Sequence, residues 1–124
     1  MTLSDRPRIL IVEDEALVAM ASAEALETGG CDVTGIAASH EEALAAAAAV
    51  PPHLVVMDIR LKGAVDGIET ARELKRRHDC RIVFCTGQGD RTTRERAEGI
   101  GAAAYLKKPF TPAQLVQAVT AALA

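Results

Sequence analysis

The stretch Arg8-Ile9-Leu10-Ile11-Val12-Glu13-Asp14-Glu15 decides the fold. The apolar residues Ile9 to Val12 leave no polar face, as in a strand buried on both sides of a parallel sheet. Three acids follow at once. A helix-compatible run from Ala16 to Glu27 comes next and meets Gly29-Gly30, a common helix stop. Buried strand, acidic end and returning helix make one β-α unit.

The unit recurs down the chain. Cys31 to Ala38 reads as a second, weaker strand. Ser39, with Glu42 three residues on, has the pattern of a capping box before a helix over Ala43 to Val50, which Pro51-Pro52 ends. Leu54-Val55-Val56-Met57 is a third strand that stops at Asp58. A loop containing Gly63 and Gly67 then leads to an amphipathic helix from Ile68 to His78. Arg81 to Cys85 is a fourth strand ending at Thr86-Gly87, followed by a short polar helix around Thr92 to Gly99. A fifth strand, Ala103 to Leu106, closes at Lys107-Lys108-Pro109. Thr111-Pro112 opens the last helix, with an N-cap followed by proline at the first helical position. Five strict alternations predict an α/β fold: one parallel sheet covered by helices on both faces.

Composition narrows the function. The chain has 124 residues, 49% of them hydrophobic, enough for one domain with one core, taken as 1–124 with its folded part from about residue 7. A net charge of −3 provides no field toward nucleic acid or an anionic membrane. Apolar runs stay well short of the roughly 20 residues of a membrane span, and no leader pattern opens the sequence, so a cytoplasmic location is expected. Cys31, Cys80 and Cys85 form no CxxC pair and read as small buried thiols.

In an open parallel sheet, binding residues gather at the carboxyl ends of the strands. Here those ends carry Glu13 and Asp14, then Asp58, Thr86 and Lys108. Three carboxylates packed together repel one another unless a cation intervenes. An oxygen-rich acidic notch with open positions suits Mg²⁺, which accepts phosphate oxygens as further ligands. Lys108 and the metal would offset charge on a transferring phosphoryl group while Asp58 attacks as nucleophile.

With these residues in order, the chain resembles a bacterial response-regulator receiver domain of the stand-alone, chemotaxis-regulator-like type, over essentially its whole length. The resemblance rests on Glu13-Asp14, on Asp58 after its apolar strand, on Thr86-Gly87, and on Tyr105 followed by Lys108-Pro109. It implies a flavodoxin-like doubly wound sheet of order 2-1-3-4-5 with five helices. It implies Asp58 as phosphoacceptor, with Thr86 and Lys108 contacting phosphoryl oxygens. Mg²⁺ would be held by Asp14, Asp58 and the main-chain carbonyl of Arg60, with Glu13 helping through water. It also implies a cis peptide at Lys108-Pro109 and a switch in which Tyr105 follows Thr86.

The expected function is that of a two-component signalling switch and not an enzyme acting on outside substrates. A sensor histidine kinase or a histidine phosphotransfer protein would phosphorylate it, and it would hand the signal to an output protein. Direct contact with nucleic acid or membrane is not expected, and the chain would be a monomer or weak dimer. Arg91, Arg94 and Arg96 are candidates for partner contacts, against ordinary solvated charge. Arg60 and Gln88, two residues past Asp58 and Thr86, would tune phosphoryl lifetime. Two departures stand out: the loop after Asp58 lacks the usual proline and is one residue longer, and glycines flank Gln88.

Alternatives use the same features differently. A pseudo-receiver would bind partners without phosphorylation, and the same sequence would serve as a receiver piece of a hybrid kinase or larger regulator. A flavodoxin-like electron carrier needs aromatics around a flavin and a hydroxyl-rich first loop. This chain has Glu13-Asp14-Glu15 in that loop and only three aromatic residues. The spacing from Asp58 to Glu69 mimics a calcium loop, but Arg60 and Lys62 stand where ligands belong.

Overall fold

The computed structural model of the chain describes residues 6–87 and 91–124. The elements alternate throughout: β1 (Arg8–Val12), α1 (Ala16–Thr28), β2 (Asp32–Ala37), α2 (His40–Ala49), β3 (Leu54–Asp58), α3 (Gly67–Arg77), β4 (Arg81–Thr86), α4 (Arg91–Glu98), β5 (Ala104–Lys107) and α5 (Pro112–Leu123). Every strand pairing is parallel, and the order is β2-β1-β3-β4-β5, as the resemblance implies.

Successive side chains of a strand point to opposite faces, so each buried strand feeds two cores. Leu10, Val12, Val55, Met57, Ile82 and Phe84 meet α2, α3 and α4 on one face. Ile9, Ile11, Leu54, Val56, Val83 and Cys85 meet α1 and α5 on the other. α2 and α4 contribute only small residues to these contacts, Ala43 and Ala47 from α2 and Ala97 from α4, whereas α1, α3 and α5 also bury Leu26, Ile68, Leu74 and Leu115. All three cysteines are free and buried.

Element ends differ from the expectation by a few residues, for local reasons. α2 starts at His40 because Ser39 is its N-cap, accepting from the Glu42 amide at 3.2 Å, and because Glu41 and Glu42 suit the positive end of a helix. The reciprocal half of the expected capping box is not made to Ser39. The Glu42 carboxylate accepts instead from the Ala38 amide, one residue earlier, at 2.9 Å. The complete box is at α5, where Thr111 Oγ1 accepts from the Gln114 amide and Gln114 Oε1 accepts from the Thr111 amide. α1 ends through Gly30 at φ 98°, a left-handed turn that glycine enters without steric penalty. The carbonyls of Glu27 and Cys31 beside that turn accept from Arg6.

Candidate functional site

The sheet brings the expected residues to one edge. Glu13 leaves β1 with its amide bonded to the Ala37 carbonyl at 2.8 Å. Asp58 is the last residue of β3, in register with Cys85 of β4. Thr86 ends β4 opposite Lys107 of β5, and its carbonyl accepts from the Lys108 amide at 2.8 Å. Adjacent strand ends thus bring these four residues to one edge.

Glu13, Asp14 and Asp58 each offer a carboxylate oxygen within 4.8 Å of the others, and Glu13 and Asp58 are buried. Lys108 Nζ lies 2.5 Å from Glu13 Oε1 and 3.2 Å from Asp58 Oδ2. The second oxygen of each acid meets backbone: Asp58 Oδ1 accepts from the Arg60 amide at 3.3 Å, and Glu13 Oε2 from the Glu15 amide at 3.2 Å. The Lys108-Pro109 peptide is cis. Tyr105, 36% exposed, stacks on the buried Phe84 with ring centroids 5.9 Å apart. Thr86 is half-buried and lines a cavity together with Tyr105.

Charge crowding separates the acids. Burial, then the hydrogen bond and repulsion from Glu13, push the Asp58 carboxyl up to about 7, against the pull of Lys108. Burial also works against ionised Glu13, but hydrogen bonds from Asp58, Lys108 and the Glu15 amide outweigh it and hold its carboxyl below the usual range. Burial likewise opposes charge on Lys108, and the two carboxylates overcome it, raising the ammonium. Burial pushes the neighbouring Cys85 thiol up to about 12, so it stays neutral. The site is a buried, all-oxygen acidic notch with one fixed cation on its flank.

The family model for the response regulator receiver domain matches residues 9–120. The chain belongs to that family. This receiver domain is 40% identical over 116 residues to the transcriptional regulatory protein PdtaR of Mycobacterium tuberculosis, covering 94% of the chain and 56% of that relative. It therefore spans little more than half the length of PdtaR. It is 30% identical to the chemotaxis protein CheY of Thermotoga maritima, covering 90% of the chain and 93% of that protein. Its fold is similar to the crystal structure of the signal receiver domain of a modulated diguanylate cyclase from Desulfovibrio desulfuricans. There the TM-score is 0.89 at 37% identity, covering 96% of this chain and 94% of that one. No helix among the described residues is long and apolar enough to cross a membrane.

Sequence reasoning missed three parts of the receiver's site surroundings. Asp66 is the N-cap of α3, accepting from the Glu69 amide at 3.0 Å. Asp66 followed three residues later by Glu69 is a visible helix-start pattern. Gly67 packs so tightly on the Asp58 carbonyl that a Cβ there would lie 1.9 Å from its oxygen. Arg96 reaches sideways to the start of α3, 3.0 Å from Asp66. Arg94 pairs with Glu98 at 3.7 Å and borders the cavity next to Tyr105; Arg91 is exposed. Gln88 lies outside the described residues.

Proposed function

We propose that this receiver domain accepts a phosphoryl group on Asp58 from a phosphohistidine and returns the signal as a change in its protein-binding surface. The observation that carries the reading is the juxtaposition of Asp58 with two further carboxylates and Lys108 at the carboxyl edge of the sheet.

The donor set fits a hard divalent cation: its side-chain atoms are all oxygens, and burial beside Glu13 drives Asp58 toward its protonated form. Glu13, Asp14, Asp58 and the Arg60 main-chain carbonyl would hold Mg²⁺, which when bound supplies positive charge against the phosphoryl oxygens. Asp58 Oδ attacks phosphorus, a P–O bond forms, and the P–N bond to the donor imidazole breaks, leaving an aspartyl phosphate. Lys108 pairs with a phosphoryl oxygen, exchanging part of its contact with Asp58 for it. The Thr86 hydroxyl donates to another. Tyr105, beside Thr86 and stacked on Phe84, carries the change outward to the face of α4, β5 and α5. The chain turns over no outside substrate; it makes and loses its own acyl phosphate. Its partners are a sensor histidine kinase or phosphotransfer protein on the input side and an output protein beyond.

The test is phosphotransfer from acetyl phosphate and from a phosphorylated histidine kinase, with and without Mg²⁺, followed by intact mass. Wild type is expected to gain one phosphoryl group only with Mg²⁺, and Asp58→Asn none. An unaltered wild-type mass, or equal labelling of the variant, overturns the proposal.

A further inference from the structure

α4 is held to the rest of the described fold by little apolar packing. One of its residues, Ala97, is buried, against five on α3. Beside it, toward β5, lies a cavity of about 260 Å³ lined by Ile59, Thr86, Thr93, Arg94, Ala97 and Tyr105 among others. With one small apolar anchor and open space alongside, hydrophobic burial fixes this helix only loosely.

Charge ties it sideways. Arg96 Nη1 lies 3.0 Å from Asp66 Oδ2, and Nη2 lies 3.4 Å from Asp66 Oδ1 and 3.6 Å from Glu69 Oε1. A guanidinium fork thus grips both oxygens of one carboxylate and touches a second. Exposed pairs contribute little when two mobile side chains must be ordered together. Asp66 is already ordered: Oδ1 caps α3 through the Glu69 amide, and its carbonyl accepts from the buried Thr70 hydroxyl at 2.8 Å.

Asp66 also leads straight to the phosphorylation site. The amide of the next residue, Gly67, donates to the Ile59 carbonyl at 2.7 Å, and its α-carbon rests on the Asp58 carbonyl. A continuous run of contacts therefore joins α4 to the backbone of Asp58 through Arg96, Asp66 and Gly67. We propose that Arg96 is a latch linking the position of α4 to the segment that carries Asp58. Occupancy of Asp58 and movement of α4 bias each other through it, reciprocally. The link to phosphorylation rests on the function proposed above for Asp58; the latch itself does not.

The test is a double-mutant cycle of Arg96→Ala and Asp66→Asn, the second keeping a helix-capping oxygen while removing the charge. Amide hydrogen exchange over 91–98 is expected to quicken about three-fold in each single variant and no further in the double, the scale of one exposed ion pair. In parallel, beryllofluoride with Mg²⁺ is titrated while the emission of Tyr105, the sole tyrosine in a chain without tryptophan, is followed. Its apparent affinity is expected to shift about three-fold in each single variant, again without addition in the double. Additive or absent changes in exchange overturn the latch. An unchanged affinity in variants of a wild type that binds the probe overturns the coupling. A wild type that does not bind the probe removes the reading of Asp58, and the coupling with it, while the exchange cycle still decides the latch.

Discussion

Lys108 Nζ stands 2.5 Å from Glu13 Oε1, closer than its 3.2 Å contact with Asp58, although 95 positions of sequence separate lysine and glutamate. The lysine thus leans on the acid with the lowered pKa and leaves Asp58 the less compensated of the pair. Lys108→Met removes the one ionic partner that Glu13 and Asp58 have among the described residues. Chemical denaturation at neutral pH and without Mg²⁺ is expected to find a loss on the order of 1–2 kcal/mol, because the two buried acids lose their shared cation and Asp58 must take up a proton to stay beside Glu13. At pH 5, where Asp58 holds a proton, the loss is expected to shrink.

The pH dependence of the metal-free protein follows from Asp58. Its folded-state value of about 7 lies above the ordinary 3.8, so the folded protein binds the extra proton between those limits. Stability from this group is complete below pH 4 and falls as pH rises through 7. Glu13 acts in the opposite sense, contributing above its ordinary 4.5 and losing that contribution in acid, so Asp58 dominates from pH 5 to 8. Urea unfolding across that range is expected to record a decline on the order of 1–2 kcal/mol. Asp58→Asn is expected to flatten the profile, and Mg²⁺ to raise wild-type stability more at pH 8 than at pH 5.

Gly67→Ala is a steric test of the backbone beside Asp58. The new Cβ would lie 1.9 Å from the Asp58 oxygen, 2.8 Å from its carbon and 2.9 Å from the Ile59 α-carbon, all of them main-chain atoms. Main chain can yield only by moving the strand end, so a loss of about 2–4 kcal/mol is expected, with weakened beryllofluoride binding. Gly87→Ala is the control: nothing among the described residues lies within 4 Å of its Cβ position, and its φ is not left-handed. Its melting temperature is expected to hold or rise slightly.

Arg60 is exposed, and its amide donates to Asp58 Oδ1. Its backbone thus touches the proposed phosphoryl acceptor, while its side chain faces solvent two positions beyond it. Arg60→Ala is expected to change the half-life of the aspartyl phosphate, measured by loss of label, about two- to ten-fold with stability within about 0.5 kcal/mol of wild type. An unaltered half-life contradicts the role.

The β-α alternation and the acidic edge are legible in the sequence because each rests on a local pattern. Ile9 to Val12 and Leu54 to Met57 announce buried strands by lacking any polar face, and their ends fix where Glu13, Asp14 and Asp58 must gather. β5 is offset by one residue because alternate positions of this edge strand are exposed, so its hydrophobic signal is diluted. The latch between Arg96 and Asp66 leaves no such trace: the residues are 30 apart, and either would serve as solvated charge. Gly67 is visible as a loop glycine, yet its need to touch the Asp58 carbonyl exists only once β3 and α3 are placed together.

α2 meets the sheet through Ala43 and Ala47, and α4 through Ala97. Methyl groups are poor carriers of individuality, so these helices can be recoloured on their outer faces without disturbing what lies beneath. Sibling chains sharing the same inner architecture can then diverge in whom they address. Insulation between parallel signalling lines in one cell becomes a matter of surface dress, written in positions that stability leaves unguarded.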